Sequence, residues 1–143
     1  MRQALIVVCG ICAVALASGC GSGEGGGTIK AAGKVTVKGQ PMADLVVTFT
    51  PETGRPAAGE TDGSGQFTLS TFRANDGAVP GAHKVSITEK TSESNPMPGT
   101  LEYAAWAQKP PKFDSKYSDP NKSGLTATVK AGEDNTKFNF DLK

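Results

Sequence analysis

TDGSGQFTLSTF, Thr61 to Phe72, joins a tetrad built for a tight turn to an apolar pattern of period two. In Asp62-Gly63-Ser64-Gly65 the aspartate side chain bonds backbone two residues on, and the glycines accept left-handed geometry without steric cost. Phe67 and Leu69 then alternate with Gln66, Thr68 and Ser70. A helix would repeat its apolar residues at three and four, so the alternation predicts a strand. The tetrad is the clearest hairpin signal in the chain. A calcium loop is excluded here, because the twelve-residue series of spaced oxygen ligands is missing.

The same pattern extends in both directions. Upstream, Val35 and Val37 share one face against Lys34, Thr36 and Lys38, and Lys38-Gly39-Gln40-Pro41 reads as a turn. Leu45, Val47 and Phe49 share a face in a β-branched run that Pro51 ends, and Ala57 to Thr61 is a weak strand. Downstream, Pro80-Gly81 opens a strand with His83, Val85 and Ile87 on one side. Leu125, Ala127 and Val129, then Phe138, Phe140 and Leu142, form a closing pair joined by Lys130 to Asn135. Seven short strands at this spacing predict a single all-β domain, an antiparallel β-sandwich over residues 29–143. Composition agrees: 143 residues suffice for one domain, and 18 glycines and 9 prolines punctuate short elements. The net charge of +1 comes from scattered groups, with no basic stripe, which argues against a nucleic-acid partner.

One segment does not fit this bookkeeping. Residues 90–122 hold five prolines, too long a connection for a compact sandwich, and form an excursion. Leu101, Ala104, Ala105 and Gln108 allow one or two helical turns before Pro110-Pro111 stops them. Four of the nine aromatics fall here: Tyr103, Trp106, Phe113 and Tyr117. They are the candidate binding residues, as a platform for a sugar or a peptide. The competing reading makes them staples that hold the excursion on the sandwich, and the entropy of ordering thirty residues favours it.

The N-terminus carries an address. Arg2 and the uncharged run Ala4 to Leu16 match the n- and h-regions of a secretory signal and are too short to span a bilayer. Leu16-Ala17-Ser18-Gly19-Cys20 resembles a bacterial lipobox, which implies cleavage before Cys20 and acylation of its thiol. Residues 1–19 are then the signal peptide and 20–28 the lipidated cysteine with its tether. Cys9 and Cys12 leave with the leader, so Cys20 is the one cysteine of the mature chain, and an unpaired thiol is out of place in an oxidising envelope. The alternative is an ordinary signal cleaved after Ala17, with Cys20 a free thiol. The run Gly21 to Gly27 is a flexible tether with a reach of roughly 15 Å.

The segments GKVTVKGQPMADLVVTFTP, TDGSGQFTLSTF, GAVPGAHKVSITE and YSDPNKSGLTATVKAGEDNTKFNFDL together resemble small lipoproteins of planctomycete-type bacteria that carry a carboxypeptidase-regulatory-like domain. The resemblance covers about Ala32 to Leu142. It implies a transthyretin-like, Ig-like sandwich with stabilising or interaction roles and no catalysis. No cofactor or metal is expected, and the lipobox points to the cell envelope, with anchoring at the outer membrane or periplasmic face. The membrane is then one partner, through Cys20, and an envelope protein or a glycan is the other. His83 stands where that family usually has tyrosine. As the only histidine, without an identifiable nucleophile, it reads as a core residue meeting local hydrogen bonds. The hydroxyisourate hydrolases of transthyretin-like fold need several histidines and arginines, and this chain has one His and three Arg. Lys34 and Asn139 suggest the isopeptide bond of adhesin domains, but strand parity turns both toward solvent.

Overall fold

The computed structural model describes residues 27–91 and 96–143. The leader, Cys20 and the tether up to Gly26 lie outside the described residues. The rest is a β-sandwich of two four-stranded sheets. The first sheet contains β1 (Ala32–Val37), β2 (Gln40–Pro41), β5 (Gln66–Thr68) and β8 (Phe138–Leu142). In the second, β4 (Ala57–Glu60), β3 (Leu45–Pro51), β6 (Gly81–Glu89) and β7 (Leu125–Val129) lie in that spatial order. Alternation makes this possible. Leu45, Val47 and Phe49, with Val85 and Ile87 across the register from them, are fully buried, and Val35, Leu69 and Leu142 close the core from the other sheet side.

The core centres on Phe49. Its ring has Phe138 at 5.3 Å, Phe140 at 6.0 Å and Phe67 at 6.3 Å between centroids, the two closest being edge contacts. All three partners come from the opposite sheet, so one side chain holds the two layers together.

Four expectations are corrected by the tertiary arrangement. Lys38 to Pro41 is not all turn: Lys38 and Gly39 take φ of 51° and 78°, and Gln40–Pro41 pairs back on β1 as an eighth strand. Asp62 to Gly65 does form a tight turn, with the Asp62 carboxylate accepting from the Ser64 and Gln66 amides. The strands it joins belong to different sheets, however, so the turn is a corner of the sandwich and not a hairpin within a sheet. β7 and β8 likewise divide between the sheets. Finally, the sandwich is not wholly antiparallel, because β8 lies parallel to β1, with Val35 opposite Phe140. Local turn chemistry is the same for a hairpin and for a corner; which one forms depends on where each apolar face finds cover.

Close approach at the corner requires Gly59. A Cβ there would run into the Thr68 carbonyl at the end of β5, and just beyond it Ala58 bridges Ser70. The strands define two ends. Leu45, Glu60 and Glu89 lie at one, and Pro51, Gly81 and Val129 at the other. The chain enters at the second end, where Ile29 bridges Ala78 and the Ala32 amide donates to the Asn135 carbonyl. The excursion leaves from the first.

Candidate functional site

The excursion is rooted by two hydrogen bonds at the Glu89 end. The Lys90 amide donates to the Asp44 carbonyl at 2.8 Å, and the Lys112 amide donates to the Glu89 carboxylate at 3.0 Å. Between them lies α1 (Leu101–Ala107). Thr100 caps it, its hydroxyl oxygen accepting from the Tyr103 amide at 3.1 Å, and Pro110-Pro111 prevents continuation, as the spacing predicts. What the spacing did not convey is the orientation. No residue of α1 is buried; Leu101 is 91% and Trp106 46% exposed.

The four aromatics therefore separate into two pairs. Phe113 and Tyr117, with ring centroids 6.2 Å apart, are buried and belong to the core. Asp114 caps the 3-10 turn Ser115–Ser118 that carries Tyr117, and the Ser123 hydroxyl donates to the Val85 carbonyl at 2.6 Å. β7 pairs only with Gly81 to Val85, so this return segment lies beside β6 where no strand covers it. These two rings are staples. Tyr103 and Trp106, 5.7 Å apart, form a second pair on α1 outside the core.

A groove of about 710 Å³ separates the C-terminal end of α1 from the sandwich. Asp44, Glu89, Trp106, Lys109, Pro111 and Lys112 are on its walls. The Lys112 ammonium lies 3.5 Å from Glu89, and Lys90 pairs with Glu60 at 2.7 Å, both at exposed positions that contribute little to stability. One wall thus offers an indole and ammonium groups, suited to stacking and to contact with anionic or polar groups.

The other candidates are placed as follows. His83 is 2% exposed, its ring centroid 5.7 Å from that of Phe49. Nε2 lies 2.8 Å from the Val79 carbonyl, which only accepts, so Nε2 carries the proton; Nδ1 is buried with no hydrogen-bond partner. Its local bonds are half satisfied. Lys34 and Asn139 are register partners in the β1–β8 pair, and both are exposed. Among the described residues no three His, Cys, Asp or Glu come together as metal ligands. Cys20 lies outside the described residues.

Sequence reasoning missed two loop-fixing side chains. The Asp76 carboxylate accepts from the Thr71, Phe72 and Arg73 amides at 2.7 to 3.0 Å, and these bonds, the Thr71 amide foremost, hold its pKa below the usual value. Asn135, 5% exposed, bonds the Lys130 amide and the Lys130 and Glu133 carbonyls, closing the loop between β7 and β8. The only available signal was a preference of Asp and Asn for turns, which names no partner. Compared with family models, curated proteins and solved structures, the chain matches none.

Proposed function

We propose that this protein is a non-enzymatic lipoprotein of the cell envelope, acylated on Cys20 and carrying a carboxypeptidase-regulatory-like sandwich of transthyretin-like type as an interaction module. The leader, the Leu16-to-Cys20 match and the glycine tether support the anchor. The two-sheet sandwich supports the domain assignment. The observation that carries an interaction role is α1: a stable sandwich extends a helix whose residues are all outside the core, Leu101 and Trp106 among them. Exposed apolar residues grouped on one protrusion mark contact surfaces. The burial of His83 beside Phe49 supports a packing role for it.

The rival reading is a carbohydrate- or peptide-binding accessory lipoprotein. Of its four aromatics it retains only Tyr103 and Trp106, the pair accessible on α1. Metabolic labelling with a fatty-acid probe tests the anchor: label on the wild type and none on Cys20→Ala is expected, and equal labelling of both sinks it. Glycan arrays and crosslinking pulldowns with and without Trp106 separate the two roles, since a sugar or peptide platform loses its ligand with the indole.

A further inference from the structure

We infer that α1 dips into the interface of the membrane to which the protein is anchored, so that the lipid surface is its docking partner. This rests on the acylation of Cys20 proposed above. Three observations point to a bilayer and away from a partner's groove.

The first is the distribution of apolar surface around the helix. At about 100° per residue, Leu101 and Trp106 point to flanks about 140° apart. Tyr103, Ala104, Ala105 and Ala107 occupy the remaining directions, and Glu102 is the only charge. A groove of fixed shape selects a single apolar stripe, whereas apolar residues spread over most of a helix's circumference, with Tyr103 half-buried and Glu102 the one charge, suit an apolar boundary. Met97, 76% exposed, extends the surface before the helix.

The second is the composition at its border. A tryptophan and a tyrosine side by side, followed by Lys109 and by Lys112, whose ammonium already faces Glu89, make a border with rings for the boundary and an ammonium, that of Lys109, for the phosphates. Seven residues are roughly 10 Å of helix, enough to enter the interface and too little to cross.

The third is confinement. Six residues lie between Cys20 and Gly27, so an acylated Cys20 keeps the sandwich at a typical coil distance of roughly 15 Å from the bilayer. The tether is rooted at the Ile29–Ala78 end and α1 at the Glu89 end, and the nine residues of β6 put these ends roughly 30 Å apart. Both attachments are made together when the sandwich lies with its strands along the membrane. Docking thus sets an orientation.

Trp106 is the chain's one tryptophan and is its own reporter. The acylated full-length protein is reconstituted into vesicles of phosphatidylethanolamine and phosphatidylglycerol, with and without brominated-chain phosphatidylcholine, and floated on a density gradient. The expected result is flotation together with a blue shift of Trp106 emission, quenching by brominated chains and loss of acrylamide access. Leu101→Glu, at a position that packs against nothing, should float equally while its indole emission stays at the aqueous wavelength. Flotation of the wild type with a water-exposed, acrylamide-accessible indole overturns the inference and leaves the anchor standing. It is the outcome expected if α1 serves a sugar or a protein instead. A Leu101→Glu protein that shows the full blue shift also overturns it. Failure to float removes the anchor and the inference with it.

Discussion

Phe49 shows how much of the structure depends on one ring. It is fully buried and meets Phe67, Phe138, Phe140 and His83, so Phe49→Ala removes contacts to both sheets and leaves a cavity lined by rings that cannot close on it. The expected loss is about 3 to 5 kcal/mol, read from urea or guanidinium unfolding. A loss below about 1 kcal/mol would contradict the burial. Carboxylates act at the same scale through pH. Lys137 holds Asp134 down to a pKa of about 2, with the Thr136 hydroxyl and amide adding to it. Asp141, bonded by the Thr36 hydroxyl and the Gly39 amide, and Asp62, bonded by the Ser64 hydroxyl and the Gln66 amide, are also lowered. Depressed folded-state values mean that these bonds contribute fully above the ordinary value of 3.8 and are lost as pH falls through each lowered value, about 2 for Asp134. Denaturation midpoints should accordingly be insensitive to these groups above pH ~5 and fall below pH ~4. Asp76→Asn and Asp62→Asn should each flatten that fall; an unchanged acid limb in both variants would remove these two carboxylates as contributors to it.

At the scale of elements, the excursion separates into a packed return segment and a projecting helix. Tyr117 is 6% exposed and sits among core residues, so Tyr117→Ala should cost about 3 kcal/mol or more, in the range of buried aromatic truncations. Trp106→Ala should cost clearly less, about 1 kcal/mol or below, because its indole is only about half covered and lies outside the core. The staple reading predicts comparable losses for both, and a paired measurement decides between them. This separation was illegible beforehand. Helix spacing and the Pro110-Pro111 stop placed α1, but Tyr103 and Tyr117 are the same residue in similarly polar surroundings, and nothing nearby in the chain states which one meets β6. Gly77 makes the same point for a connection. It takes a φ of 94°, and a Cβ there would strike the Ile29 carbonyl, so Gly77→Ala should lower the melting temperature by straining the bridge where the chain enters the sandwich.

For the whole molecule, the decisive contact is between the first and last strands. β8 lies parallel to β1 and supplies Phe140 and Leu142 to the core, so deleting residues 138–143 exposes the flank of β1 and removes two buried side chains. The truncated protein should lose its cooperative unfolding transition, followed by circular dichroism; a truncation that still melts cooperatively would mean that the second sheet suffices alone. The sequence by itself determined the positions of the main strands, the inward residues of each and the short helix. All of these follow from period, turn chemistry and capping within a few residues of chain. Only the tertiary structure decided that the Asp62–Gly65 turn is a corner, that β8 runs parallel to β1, that Gln40–Pro41 pairs back, and that Phe113 and Tyr117 go in while Tyr103 and Trp106 stay out. Those choices depend on which apolar faces are left uncovered once the sheets stack, and that competition is settled between segments up to a hundred residues apart.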